Sequence, residues 1–536
     1  MLEEFDSFIN INKDFWSKFN EIDTNKLILV ETAGHPTINH ANAVTAKMIA
    51  RAKGFRIAWI KYNATDEKLM QSYSENSIFL SFKKHTLFFK IRLKLIAIHY
   101  YLMHVLVRNR LLSFEYKGIR YGDFIYDGYL AQYSMATLHR FDARIAKIFY
   151  SAMLYDEEAR EILKRNSAIK AVLVTHYMGI GTGCLSRVCL QQNIPVYLKV
   201  GGCDIFGFSV FNRLSEVYNY PLKPTKDEID FAVSNYKNEI EKDFKNFIEE
   251  VSNKSKGGFN IAYDNNIHSD VTREQFLKHM ALEDKPIIFI MLHAFNDFPR
   301  SHFESMLFND FYDWFIQTLK FVSKVKSRNW IFKEHPTNRF YPTKDLDLNK
   351  IMRHLPEHVR FVSQDHVIKS SVVLNVADAI VTCLGTAGVE MPALQGIPSI
   401  IASDTFYDGL GFTIKPSTKK EYFEILANMD LKPLSAEQQL RAKCCYLYLY
   451  KYCMMPFAAG PPITVEEISI ISKQLMDSYN GRVSKAYKEK SDLIYSQFYE
   501  YAGEIKKEGF KRLVRLPFDL MEMSDYYMKL FVELKD

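Results

Sequence analysis

The chain runs to 536 residues, with 69 lysines and arginines against 63 aspartates and glutamates and a formal charge of +6. That length exceeds what one core holds and predicts two domains with additional elements. The basic excess suits an anionic substrate or a membrane surface and is too small to argue for nucleic acid.

The first legible unit is the apolar strand Lys26-Leu27-Ile28-Leu29-Val30, which empties into Glu31-Thr32-Ala33-Gly34-His35-Pro36. A helical pattern (Ala41, Val44, Met48, Ile49), the turn residue Gly54 and the strand Phe55–Ile60 complete a βαβ unit. A second such unit starts at Ala171–Thr175, passes a loop carrying Gly179, Gly181 and Gly183, and ends in the strand Pro195–Val200. Residues 1–215 therefore read as one Rossmann-like domain with a helical insertion at 75–160.

The charged stretch 216–280 reads as a helical linker packed on that first domain. A second Rossmann-like domain, 281–435, opens at Lys285–Met291 and continues through a helix at Phe311–Val325. Its further strands end at Lys333, Val362, Thr382 and Ala402, and residues 436–536 turn helical again. The fold class is α/β, two Rossmann-like domains with a helical insertion in the first and a helical C-terminal tail, which is the layout of the GT-B glycosyltransferases.

Two segments concentrate the chemistry. Lys333-Glu334-His335-Pro336 follows the strand Trp330-Ile331-Phe332. Lys333 or His335 there could hold a phosphate, or the His-Pro pair could simply end a strand. Cys383-Leu384-Gly385-Thr386-Ala387-Gly388-Val389-Glu390 follows the strand Ala379–Thr382 and opens a helix. Gly385 and Gly388 allow close backbone approach, the free N–H groups of a helix start attract an anion, and Thr386 and Glu390 could contact phosphate and ribose. The alternative is a plain capping box made by Thr386 and Glu390. A third segment, Phe406-Tyr407-Asp408-Gly409-Leu410-Gly411-Phe412-Thr413, could close over a sugar or form a surface turn.

The His335-Pro336 pair, the Gly385-Thr386-x-Gly388-x-Glu390 loop, Gly396-Ile397-Pro398 and the Phe406–Thr413 segment resemble bacterial capsule and surface-polysaccharide glycosyltransferases of GT-B type. The resemblance is closest to the capsular β-Kdo transferase group and extends to Tyr121–Leu130 and to His293–Asp297 with Leu307, Phe308 and Trp314. It implies an inverting, metal-independent transfer, without cofactor, from a nucleotide sugar to a capsule or lipopolysaccharide acceptor that is lipid-linked or an oligosaccharide. Lys333, His335, Gly385, Thr386, Ala387, Gly388 and Glu390 would then bind the donor. The acceptor base would come from the first domain. Asp127 and Asp123 are the first candidates, on the expectation that Tyr126-Asp127-Gly128 forms a presentable loop, with His35 and His176 in reserve. Asp345 and Asp347 read as helix-start residues and not as a metal pair.

Three other readings compete. A CDP-glycerol-type glycerophosphotransferase would share the His-Pro pair, but an Asp-Tyr-Ser-Ser sequence is expected where this chain has Thr382 to Thr386. A nonhydrolysing UDP-sugar 2-epimerase shares the double-Rossmann plan, and a non-catalytic export subunit would bind nucleotide without turnover.

The seven cysteines (184, 189, 203, 383, 444, 445 and 453) lack metal-ligand spacing, and their odd number argues for reduced thiols. The acidic N-terminus lacks a signal core and no apolar run approaches the ~18 residues of a membrane span, so a cytoplasmic location is expected. The segment Phe82–Lys117 carries Lys83, Lys84, Lys90, Arg92, Lys94, Arg108 and Arg110 with no acid between Glu75 and Glu115. It could rest on the inner face of the plasma membrane, or pack as a helical insertion with a solvated basic face. Tyr446–Tyr452 offers a similar choice between aromatic contact and packing.

Overall fold

The structure, a computed structural model, describes residues 2–19, 24–33, 35–62, 65–107, 111–202, 204–253, 268–336, 338–366, 368–462, 467 and 473–517. Gly34, Cys203, Arg108 and Arg110 lie outside these described residues, as does the tail beyond 517. The chain divides into two compact units, one of Met1–Gly128, Arg140–Leu222 and Cys453–Arg515, the other of Tyr129–His139, Lys223–Tyr452 and Leu516–Asp536.

The first unit is built on β1 (Leu27–Val30), β2 (Arg56–Ile60), β3 (Ile78–Leu80), β6 (Ile169–Val174) and β7 (Val196–Gly201), all parallel. β8 (Ile205–Phe211) turns back antiparallel on β7, and β15 (Met455–Pro456) pairs antiparallel with β8. The sheet order is β15-β8-β7-β6-β1-β2-β3. Every residue of β1 is buried, as expected of a parallel strand covered on both faces. The helix Pro36–Lys53 returns the chain to β2 and ends at Gly54, whose φ of 71° is left-handed and costs little only without a Cβ.

Both ends of the described chain complete this unit's core. The helices Leu2–Ser17, Lys473–Glu489 and Ser491–Lys506 bring Phe15 onto Tyr487 at a centroid distance of 4.1 Å. Trp16 Nε1 donates to the Tyr487 hydroxyl at 2.8 Å, and that hydroxyl donates to Asn12 Oδ1 at 2.7 Å. The insertion holds the helices Leu87–Leu106, Gly122–Tyr133 and Arg144–Arg165 and a small hairpin, β4 (Glu115–Tyr116) with β5 (Ile119–Arg120).

The second unit carries a wholly parallel sheet of β9 (Ile287–Met291), β10 (Asn329–Lys333), β11 (Val359–Val362), β12 (Ala379–Thr382), β13 (Ser399–Ile401) and β14 (Thr413–Ile414). Its order is β11-β10-β9-β12-β13-β14. One face packs Trp314, Phe315 and Phe332, the other Phe276, Ile331 and Met391. The α/β class with two parallel, Rossmann-like sheets is therefore what the chain adopts.

The helices Lys226–Asn235 and Lys237–Asn253 correct one expectation, because they belong to this second unit and not to the first. They pack on the helix Ala436–Leu447, where Arg441 pairs with Asp230 at 2.5 Å and Lys443 with Glu241 at 2.7 Å. Beyond that helix, Tyr448 and Tyr452 are buried, so the Tyr446–Tyr452 run is packing. Asp347 caps the four-residue helix Leu348–Ile351, and Asp345 accepts from the Ala136 N–H at 2.7 Å and bonds His139 at 2.9 Å. Among the described residues, no helix is long and apolar enough to cross a membrane.

Candidate functional site

In both sheets the chain adds strands outward on one side of the first strand and then jumps to its other side. In the first unit the switch falls between β1 and β6, and in the second between β9 and β12. The carboxyl ends of strands at such a switch open a crevice in which open α/β sheets bind ligands. Each switch is bridged by one polar side chain that leaves the first strand.

In the second unit that bridge is His293, two residues past β9. Its Nε2 accepts from the Cys383 and Leu384 N–H groups at 3.3 Å each and lies 3.1 Å from the Thr382 hydroxyl oxygen. A ring nitrogen that accepts backbone N–H bonds must be unprotonated. Consistently, burial, with His335 and His302 nearby, pushes the pKa of His293 down to about 3. His293 was legible only as part of a resembling segment, since the loop it organises lies 90 residues away.

Lys333 ends β10 and is buried. His335 follows it, its pKa pushed down to about 4 by burial and by the Lys333 ammonium. His302 is likewise held near 4 by burial. At neutral pH these three imidazoles are therefore uncharged. Glu334 is spent on structure, accepting from Asn338 Nδ2 at 2.6 Å and from the Gln364 N–H at 2.9 Å. Asn296, in the loop after β9, is buried, and its Oδ1 has no partner among the described residues.

The glycine loop is more committed internally than its sequence suggests. A Cβ on Gly388 would lie 2.0 Å from the Tyr407 hydroxyl oxygen, and one on Gly385 would lie 2.9 Å from Thr382 Oγ1 and 3.3 Å from the His293 ring. The close approach these glycines permit is thus made by the protein's own side chains. Tyr407 donates to the Gly385 carbonyl at 2.7 Å, and the Gly385 N–H donates to Thr382 Oγ1 at 3.2 Å. The N–H groups of residues 383 to 385 are consumed, which leaves those of Thr386 and Ala387 at the start of the helix Ala387–Gln395 for an anion. Thr386 is exposed and makes no capping bond, so the capping-box alternative is not adopted. Glu390 is half-buried one turn in.

The Phe406–Thr413 segment acts as a brace. Tyr407 is fully buried, and Asp408 accepts from Lys223 and Lys415 Nζ at 2.6 Å each and from the Thr405 N–H at 3.0 Å. Burial works against the Asp408 charge, but the two lysines hold its carboxyl below the usual range. Replacing Gly388 with alanine should destabilise the protein by about 1–3 kcal/mol, because backbone or Tyr407 must move. Gly481, a helix-interior glycine whose added Cβ would meet nothing within 4 Å, should respond oppositely, gaining about 1 kcal/mol as alanine. Thermal melts of the two variants check the sign of each change.

In the first unit the bridge is Glu31, directly after β1. Its Oε2 accepts from the Thr175 N–H at 2.8 Å, its carbonyl accepts from Asn42 Nδ2 at 3.1 Å, and Asn42 Oδ1 accepts from the Thr175 hydroxyl at 3.0 Å. Burial raises the Glu31 pKa to about 7, against the backbone bonds from Thr175 and His176 and the charge of Lys199. His176 is held low by burial and by Lys199, which is itself buried with its ammonium on the Gly201 and Gly202 carbonyls at 2.9 Å.

Of the four base candidates named from the sequence, His176 lies beside Glu31 as just described, and the other three fare differently. Asp127 lies inside the helix Gly122–Tyr133 and is fully buried, which corrects the expected mobile loop. Tyr121, Phe124, Ile125 and Tyr129 bury that helix, and packing overrides the turn preference of an Asp-Gly pair. Asp123, four residues earlier, is ion-paired to Arg187 at 2.5 Å with both side chains buried. His35 is buried with Nδ1 2.7 Å from Thr37 Oγ1 and Nε2 3.2 Å from the Glu467 carbonyl. Nothing local in the sequence distinguishes Glu31. Its position after a fully buried strand was the one available signal.

No protein-family model and no curated protein matches this sequence. Among solved structures, the UDP-GlcNAc 2-epimerase from Neisseria meningitidis bound to UDP-GlcNAc is 12% identical, with a TM-score of 0.22 over 80% of this chain and 100% of that one. The wall teichoic acid polymerase TagF is 11% identical, with a TM-score of 0.20 over 93% of this chain and 99% of its own. MurG from Acinetobacter baumannii is 11% identical, with a TM-score of 0.21 over 88% and 99%. At such scores these likenesses carry no argument about chemistry, and the fold rests on the two sheets themselves.

Proposed function

We propose that this chain is a glycosyltransferase of GT-B type that moves a sugar from a nucleotide-sugar donor onto a surface-polysaccharide acceptor, with inversion and without a metal. The observation that carries the reading is the carboxyl edge around the second unit's switch point, where the strands on either side of β9 end in a buried lysine, Lys333, and in a glycine-lined helix start with two unspent N–H groups. Such a set suits the phosphates of a nucleotide and can stabilise the charge that develops on them as the sugar leaves.

The chemistry divides into two tasks. The acceptor hydroxyl oxygen forms a bond to the anomeric carbon while the carbon–oxygen bond to the donor phosphate breaks, its electron pair leaving with the nucleotide. Lys333, Thr386 and the N–H groups of Thr386 and Ala387 meet that phosphate, and Glu390 receives hydrogen bonds from the ribose or the sugar. The acceptor proton passes to a carboxylate, a role that Glu31 suits better than Asp127, Asp123 or His35, since its pKa lies near neutrality. The sequence resemblance supports a capsule or lipopolysaccharide acceptor.

The test is a screen of CMP-, UDP-, GDP- and dTDP-sugars in the presence of chelator. One donor should stabilise the protein, by about 2.7 kcal/mol at a hundredfold excess over Kd. Lys333→Met should weaken that donor about 10- to 100-fold, as expected for the loss of a charge-assisted hydrogen bond. Stabilisation by no nucleotide would sink the reading. Isomerised sugar formed without acceptor would replace transfer with epimerisation.

A further inference from the structure

We propose that the Leu87–Leu106 helix is a docking surface for an anionic lipid bilayer, a role separate from the transfer chemistry. The helix has 20 residues, about 30 Å of length, and is apolar nearly all round. Only one side is packed: Leu93, Ala97 and His104 are buried, and the partner helix is Arg144–Arg165. On the opposite side Phe88, Ile91, Leu95, Ile98, Leu102 and Leu106 are between 46% and 78% exposed.

Those six positions fall within an arc of about 80–100° on a helix of 3.6 residues per turn, so they form one continuous stripe. The same geometry places Lys94 along one margin of the stripe, its ammonium 5.8 Å from the centroid of the Tyr150 ring on the partner helix, and Arg92 and His99 along the other, all three exposed; Lys90 lies farther round, toward the packed side and near Glu158. No acidic residue occurs between Glu75 and Glu115. Phe141, also exposed at 75%, lies beside the helix's C-terminal half, where its carbonyl accepts from the Tyr101 hydroxyl at 3.1 Å. Lys83 is paired with Glu161 at 3.5 Å and is not counted among the rim charges.

A solvated basic face, the alternative raised by the sequence, does not describe this helix, because its outward face is apolar and only its margins are basic. An apolar stripe with cationic rims matches the interface of an anionic bilayer, where the stripe inserts about 5–10 Å and the rims meet lipid headgroups. A second copy of the chain fits worse, since a two-fold contact along the stripe would set these cationic rims against their own copies.

Vesicle cosedimentation of the full chain tests the proposal. Wild type should sediment with vesicles of equal parts phosphatidylglycerol and phosphatidylcholine, bind phosphatidylcholine vesicles much more weakly, and dissociate as salt rises. The triple variant Phe88→Ser, Leu95→Ser, Leu102→Ser should bind at least tenfold more weakly. Lys94→Gln and Arg92→Gln should each cost about fivefold, the equivalent of about 1 kcal/mol per charge. These side chains are exposed, so unchanged circular dichroism and an unchanged melt would confirm that the variants fold. The proposal fails if wild type stays in the supernatant with both vesicles or if the triple variant sediments like wild type. It also fails if sedimentation equilibrium reveals a dimer that the triple variant abolishes, with no vesicle binding, because the stripe would then belong to a second copy.

Discussion

Arg187→Ala is expected to destabilise the first unit by about 3–5 kcal/mol, the cost of leaving one member of a buried ion pair without its partner. Arg187 is 1% exposed and donates to both Asp123 carboxylate oxygens, at 2.8 and 2.5 Å, and to the Arg120 carbonyl. Its guanidinium also lies 3.6 Å from the centroid of the Phe124 ring, so cation–π attraction and packing are lost with the charge. Asp123→Asn should cost a comparable amount, and Asp123→Leu with Arg187→Met should recover most of the loss, because no uncompensated charge remains. Urea unfolding followed by circular dichroism reads all three. If Asp123→Asn melts like wild type but loses turnover, the pair is not structural and Asp123 returns as a base.

The second large effect concerns Glu31. Glu31→Gln keeps an oxygen to accept from Thr175 and removes the carboxylate, so turnover should fall about 10²- to 10⁴-fold while nucleotide affinity stays unchanged. In wild type, kcat/KM should rise with pH through a limb centred near the raised pKa of about 7, and the variant should lose that limb. Stability should move the other way. Burial raises the folded pKa above the unfolded value of 4.5, so the native state holds its proton between about 4.5 and 7 while the unfolded state releases it. Wild-type stability therefore declines as pH rises through that window, by roughly 3 kcal/mol at one unit per 1.36 kcal/mol, and Glu31→Gln should flatten the decline. A variant that retains full turnover would assign Glu31 to loop structure alone.

Much of the fold was legible because parallel strands announce themselves as unbroken apolar runs. Leu27–Val30, Trp330–Phe332 and Ala379–Thr382 are buried throughout, and Gly54 marks a helix end where a left-handed residue is required. The donor-side segments were legible for the same reason, since each directly follows such a strand. What escaped were pairings over long separations. Nothing near Asp123 in sequence points to Arg187, 64 residues on, or from Glu31 to Thr175, 144 residues on. The charged helices at 226–253 carry no mark of which core they join. In Leu87–Leu106 the charge pattern was visible and the exposure was not, because an apolar residue is assumed buried until the packing partner is known.

The first unit has a consequence for biogenesis. Trp16 and Tyr487 share a hydrogen bond across 471 residues, and the helices at both chain ends close the same aromatic core. Synthesis from the N-terminus cannot finish that core until Tyr487, Phe498 and Ile505 have left the ribosome. The parallel sheet of the second unit, by contrast, has been synthesised in full by Ile414, and only the Leu516–Asp536 stretch of that unit follows Tyr452. The order of maturation should then run against the usual N-terminal-first sequence. The nascent first unit would spend most of translation with Phe15, Trp16 and Phe19 uncovered, a natural client for holding chaperones and a poor candidate for C-terminal truncation.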